Sequence, residues 1–394
     1  MNIMKPIPSL ALAALALAAC LQSAQAQLTI PSDGSDLAFN PTENTVIDLS
    51  EAVDGVWNAD NTANKTKGIY DANKWAVVFK YSSVNIPAGV KVTFRNHRSR
   101  APVVWLVRGD VIINGELNLD GGSGSTGVDA LMPSEPGPGG FRGGPAGPQG
   151  AGTGLGPGGG GTDYNPDASA GKYSPLYGNP QIIPLLGGSG GGGNYGLGEA
   201  GKAGGGAILL AAGGNVTING SIAARGGPAG WGHGSGGAVK IISNQVDGTG
   251  DISVLGYSSG RIRIETGTLA PTLHTYPETI KVSPSIPPVM WPSDSGPKVR
   301  IVSVDAFAAP PEPTAPLSSS ADIAIQNDDE VIVTVESTNF PTEGTVQVRV
   351  AQKWGGGEWK TAEHPVGDQA RATWTAKVKF VKGYTTLQAR ATAP

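Results

Sequence analysis

The strongest constraint on this chain is that it repeats itself, because segments recurring at a fixed short interval belong to stacked or arrayed folds rather than to an arbitrary globule. When Val103 to Gly122 is set against Ile208 to Gly227, Val111 falls on Val216, Ile113 on Ile218, Asn114-Gly115 on Asn219-Gly220 and Leu117 on Ile222. Gly121-Gly122 then falls on Gly226-Gly227, all at a constant offset of 105. A third copy, Val239 to Gly256, places Val246, Gly250, Ile252 and Val254 on Val216, Gly220, Ile222 and Ala224 at an offset of 30. A weaker fourth matches Val84, Ile86, Val90 and Val92 to Val111, Ile113, Leu117 and Leu119, and Arg261 to Glu265 reads as a final half-copy.

Within each copy apolar and polar residues alternate, the period of a strand with one buried face. Asn-Gly or its equivalent divides each copy into two short strands. A lone hairpin does not explain why the same inward positions return. Strands stacked at roughly 4.8 Å do, since they line Val111, Val216 and Val246 into one interior ladder. The expected class is all-β, with residues 27–267 forming a β-helix-like solenoid; an antiparallel sandwich also suits short strands at this spacing.

Between the second and third copies lies a glycine-rich insertion at 121–205. It leaves after Asp120, and the glycine segment Gly226 to Gly237 leaves from the equivalent point after Arg225. Both therefore emerge from one edge. Extended chains without Cβ atoms can pack side by side and bond laterally as a three-fold bundle of the polyproline-II type; the plain alternative is a flexible loop. Triplets such as Gly144-Pro145-Ala146 are too few and too interrupted for a collagen trimer.

Residues 268–297 are proline-rich and read as a linker. Beyond them the stretches Lys298 to Val302, Ala321 to Ile325, Val331 to Val335, Thr345 to Val350, Ala372 to Val378 and Thr385 to Arg390 all alternate, which predicts an immunoglobulin-like β-sandwich over 298–394.

Residues 1–26 have the architecture of a signal peptide, with Lys5, an apolar run from Leu10 to Leu21 and a small-residue site at Ala24-Gln25-Ala26. Leu17-Ala18-Ala19-Cys20 also resembles a bacterial lipobox, which would make Cys20 a lipidation site. Either route predicts an extracellular or cell-surface protein, lipid-anchored in the outer membrane in the second case. The apolar run is too short to span a bilayer of about 30 Å, so no membrane span is expected. The formal net charge of −4 gives no footprint for nucleic acid. A single cysteine and four scattered histidines offer no multi-thiolate metal site, and no cofactor is expected.

The run Ile30-Pro31-Ser32-Asp33-Gly34-Ser35-Asp36, the phrase Asp110-Val111-Ile112-Ile113-Asn114-Gly115 and the run Ala207 to Ala212 together resemble a group of uncharacterised secreted bacterial glycine-rich proteins. The resemblance covers nearly the whole chain after the signal. It implies export and this order of domains, and carries no activity and no catalytic residues.

Candidate sites follow from chemistry. Glu116, Asn118 and Asp120 share one strand face by parity, with Arg225 beside Asp120, but equivalent positions in the next copy are Asp251, Ser253 and Leu255. That is a thin cluster for a polysaccharide lyase and reads as an exposed ion pair. Asp33-Gly34-Ser35-Asp36 reads as an Asx-turn rather than a Ca²⁺ site. Aromatic rings among the glycines, Phe141, Tyr164, Tyr173, Tyr177, Tyr195 and Trp231, either stack on sugars or cover the bundle. Trp231 and Tyr195, beside His233 and Asn194, are the foremost ligand-binding candidates, with Phe141 and Tyr164 after them. The sequence thus predicts a non-enzymatic structural or adhesive protein whose partner is polysaccharide, a cell-surface or matrix component, or itself. A self-assembling fibre subunit and a β-helix polysaccharide-degrading enzyme are the alternatives.

Overall fold

The computed structural model describes residues 28–147, 152–160, 177–194, 198–227, 232–315, 321–326, 330–352, 357–380 and 383–394. The expectations for the signal segment, Cys20, Tyr164, Tyr173, Tyr195 and Trp231 lie outside these residues. The described chain is nearly all β, and its helical elements are three short 3₁₀ segments.

Up to Val282 most strands fall into three columns of parallel pairs, while Ile69–Asp71 runs antiparallel to Ala76–Tyr81 and carries Val53–Asp54 on its far side. The first stacks Ala76–Tyr81, Val103–Val107, Ala207–Ala212 and the leading halves of Ala238–Asp247 and Arg261–Leu269. In the second, Ala38–Phe39, Ser83–Ile86, Val111–Ile113 and Val216–Ile218 lead to the trailing half of Ala238–Asp247. The third stacks Thr45–Asp48, Lys91–Arg95, Glu116–Asn118, Ser221–Ala223, Asp251–Ser253 and His274–Tyr276. The chain visits the columns in turn, so their inward residues meet in one core. Val111, Leu117, Val216, Ile222, Val246 and Ile252 are all fully buried there with Trp105, Leu210 and Ile264.

The pairing follows the repeat. Val216 lies between Val111 and Val246, and Ile222 between Leu117 and Ile252. The weak fourth copy needs one correction: Val84 and Ile86 pair with Val111 and Ile113, but Val92 pairs with Leu117 rather than Leu119. The turn Pro87-Ala88-Gly89-Val90 holds two more residues than Asn114-Gly115, and this shifts the third strand. The ladder also runs past residue 267, into His274–Tyr276 and Ile280–Val282, so part of the stretch read as a linker continues the columns. Its prolines do not interrupt pairing because Pro271, Pro277 and Pro284 fall between the paired segments.

The glycine insertion is ordered across its described residues. Along 200–207 each backbone N–H donates to one of three neighbouring segments in strict rotation. Ala200, Ala203 and Gly206 bond to Ser125, Gly122 and Leu119; Gly201, Gly204 and Ala207 to Gly144, Phe141 and Pro138; Lys202 and Gly205 to Gly232 and Ser235. Segment 187–194 bonds back from a fourth direction, through Gly188, Gly191 and Asn194 to Gly205, Lys202 and Glu199. A period of three with no bond inside the segment is the signature of polyproline-II-like chains packed side by side. Close approach requires glycine here: an ideal Cβ on Gly204 would overlap the Gly188 carbonyl oxygen.

Residues 298–394 form two antiparallel sheets. The larger contains Lys298–Val304, Glu330–Thr338 and Arg371–Lys379; the smaller contains Thr345–Gln352, Trp359–Thr361 and Thr385–Thr392. They enclose Val331, Val333, Val346, Val348 and Trp374. Ala321 to Ile325 is not a strand. The Asp322 carboxylate accepts from Thr314 and Ala315, which holds this stretch in a turn while Ile323 and Ile325 still face the core. Phe307–Ala308, Trp359–Thr361 and Val366–Gly367 are strands that the alternation did not reveal.

Candidate functional site

The glycine layer grows from the corner that follows the third column. The segment after Asn118 enters it at Gly121, the one after Ala223 at Gly226, and the stretch Val254 to Gly260 closes beneath it. There Gly226 donates to Leu255 and Tyr257 to Gly234, while Gly236 donates to Ser258. Between this stretch, segment 187–192 and the turn at Tyr177 lies a cleft of about 290 Å³.

One wall is aromatic. The His233 and Tyr257 rings stack with centroids 5.3 Å apart and planes 25° off parallel. Tyr257 remains 57% exposed. The floor is glycine backbone fixed by two serines: the Ser189 amide donates to Ser235 Oγ over 2.7 Å, and Gly158 N–H to Ser189 Oγ over 3.0 Å. Tyr177 forms the far wall, its phenol donating to the Gly187 carbonyl over 2.8 Å. Burial raises the Tyr177 phenol above its ordinary value, although hydrogen bonds with Ser189 and Ser235 act the other way. Arg261 closes the rim and donates through Nη1 to the Tyr177 carbonyl.

Of the sequence candidates, His233 therefore sits in the cleft. Asn194 lies at the end of segment 187–194, where its amide donates to Glu199. Phe141 is bonded through its backbone to Gly188 and Gly204, and its ring lies against Gly156, so it covers the bundle from outside the cleft. Tyr257 and Arg261 were not singled out from sequence. The signal was present: Leu255-Gly256 stands 30 residues after Arg225-Gly226, the position from which glycine segments leave.

No protein-family model, curated protein or solved structure matches this chain. Its chemistry is therefore argued from its own geometry.

The polar cluster on the third column is occupied by mutual contacts. Arg225 lies on Asp120, with Nη2 to Oδ2 at 2.7 Å and Nε to Oδ2 at 3.0 Å. Asn118 bridges Glu116 and Asp120, and Lys91 stands 3.1 Å from Glu116. Burial raises the Glu116 carboxyl, but hydrogen bonds from Asn118 and Lys91 outweigh it and hold the group below the usual carboxylate range. A carboxylate held ionised in this way is a poor general acid at neutral pH. With Arg225 49% exposed, Asp120→Ala is expected to cost no more than about 1 kcal/mol, checked by the urea midpoint against wild type.

Asp33 forms the expected Asx-turn, accepting from the Ser35 amide over 2.9 Å. Among the described residues no group of three or more His, Cys, Asp or Glu is placed to hold a metal ion, and no helix is long and apolar enough to cross a membrane.

Proposed function

We propose that this chain is an exported, non-enzymatic structural or adhesive protein of the bacterial cell surface or extracellular matrix. In this reading the three columns are a β-solenoid, the C-terminal sheets an immunoglobulin-like sandwich, and the glycine layer a rigid binding module between them that engages polysaccharide. The supporting observation is the three-way bonding of residues 200–207. A segment that donates every N–H laterally is too constrained for a linker and needs no ligand for its order. It therefore supplies a fixed surface on which the His233–Tyr257 stack is held for a partner.

Sugar rings suit such a surface because their C–H faces lie flat on aromatic rings while their hydroxyls reach serine and backbone groups at the edge. The described lining of the cleft contains no Asp or Glu, so it presents no paired carboxylates for glycoside cleavage. The test is retention of residues 27–394 on a panel of immobilised polysaccharides, with released oligosaccharides measured in the same samples. Retention without products is expected. Products from any polymer, or no retention by any polymer or by cell walls at micromolar protein, would overturn the proposal.

A further inference from the structure

The two C-terminal sheets close over only part of their core. Val331, Val333, Val346 and Val348 are sealed between them. Between Lys298–Val304, Thr385–Thr392 and the glycine layer, however, lies a cavity of about 970 Å³. Val299, Ile301, Ile323, Ile325, Phe380 and Leu387 line it and stay only half-buried. Its volume stands near the top of the range for ligand pockets, about 300–1,000 Å³.

The glycine layer gives this apolar space one polar wall, where Arg142 and Thr153 are 5% and 6% exposed. The Arg142 guanidinium donates through Nε to Glu135 and through Nη1 to the Ala315 carbonyl, and its Nη2 has no partner among the described residues. The Thr153 hydroxyl is buried and likewise has no hydrogen-bond partner among them. Glu135 is shared between Arg142 and Arg100, so the three together keep a net positive charge. Asp322, the one carboxylate among the described lining residues, is engaged by the Thr314 and Ala315 amides. An unpartnered hydroxyl and a spare guanidinium donor therefore face a space whose other walls are largely aliphatic.

We infer that this cavity binds a long-chain aliphatic carboxylate, a fatty acid, with its chain between the two sheets and its carboxylate on the wall that Arg142 and Thr153 form. This goes beyond the polysaccharide-binding reading and does not rest on it. A methylene chain gains from each apolar contact, and a carboxylate supplies the acceptor that Arg142 Nη2 and the Thr153 hydroxyl lack. A sugar or a peptide in the same place would set its own polar groups against apolar walls.

The probes are palmitate, its methyl ester and octanoate, each competing with a fluorescent fatty acid for residues 27–394. Wild type is expected to bind palmitate at micromolar concentration or below. The ester is expected to bind about ten- to a hundredfold more weakly, the range for one charge-assisted contact, and octanoate at least about a hundredfold more weakly because its chain is shorter. Thr153→Val is expected to weaken palmitate about tenfold and leave the ester unchanged. Its melting temperature should equal or exceed that of wild type, since a buried hydroxyl without a partner is removed. Leu387→Trp fills the cavity and is expected to lose palmitate while keeping a cooperative melt and retention on polysaccharide. The comparison of acid with ester needs no variant. Equal wild-type affinity for acid and ester, or unchanged palmitate affinity in Thr153→Val, overturns the carboxylate assignment. No palmitate binding by wild type, or palmitate binding that survives in folded Leu387→Trp, overturns the site. Retention on polysaccharide is scored separately, so none of these outcomes decides that reading.

Discussion

Gly204→Ala is expected to lower the stability of the protein by about 2–4 kcal/mol and to abolish retention on polysaccharide. The new methyl has no room, because an ideal Cβ there falls on the Gly188 carbonyl oxygen and near the Gly188 backbone. Moving segment 187–194 aside breaks the Gly188 bond to Gly205, and moving Gly204 instead breaks its own bond to Phe141. Either way the layer loses backbone hydrogen bonds worth about 1 kcal/mol each and incurs overpacking of about 1–3 kcal/mol. Gly55→Ala is the control. Gly55 is exposed, and a Cβ there meets only Ile69 Cγ2 at 3.4 Å, so a change within about 0.5 kcal/mol is expected. Denaturant midpoints for the two variants make the comparison; indistinguishable midpoints would refute the close-packed glycine layer.

The second large effect concerns Arg349, which fastens the C-terminal sheets to that layer. Its side chain is 2% exposed and donates to the carbonyls of Gly159, Gly154 and Gly156 at 3.2, 3.0 and 3.3 Å, and to Gln388 Oε1 at 2.5 Å. The guanidinium also lies 4.8 Å from the centre of the Trp359 ring. Burial draws the group down to about 10, so it remains protonated in both folded and unfolded chains at neutral pH, and this joint has no pH dependence there. Arg349→Met keeps the stem but leaves the Gly154 and Gly159 carbonyls without a donor, while Gly156 keeps the Gly159 N–H, at about 1–3 kcal/mol for each carbonyl lost before water enters.

The loss should be local, since each side of the joint has its own core. Calorimetry is expected to resolve two transitions where wild type gives one, and proteolysis to cut residues 298–394 faster than the three columns. Arg349→Lys is expected not to restore the joint, because one ammonium does not span three separated carbonyls. An unchanged single transition in Arg349→Met would show that the sheets are held by other contacts.

The columns were legible in the sequence because a stack constrains inward positions identically at every level. Val111, Val216 and Val246 need the same environment, so the chain had to repeat them. The register of the earlier level was misread by two residues because turns are free to vary in length where strands are not. Ala321 to Ile325 shows the limit of alternation: Ile323 and Ile325 do face the core, yet Asp322 captures local N–H groups and no ladder forms. The glycine layer was legible only as a possibility of composition. Glycine permits lateral packing and equally permits a loose chain, and what separates them is a three-residue rotation of partners spread over 119–125, 137–147 and 232–237, which no local pattern encodes. Arg261 was missed for a similar reason, since its place on the cleft rim is set by a bond to the Tyr177 carbonyl, 84 residues away along the chain.

The rotation of partners along residues 200–207 also governs how the module would respond to force. A two-dimensional β-ladder at its edge can be peeled open one bond after another, because all its bonds lie in a single plane. Here successive links point a third of a turn apart, so a tug from any side loads bonds to other neighbours at once and finds no seam along which to unzip. An anchor that must hold under shear from changing directions gains from that isotropy.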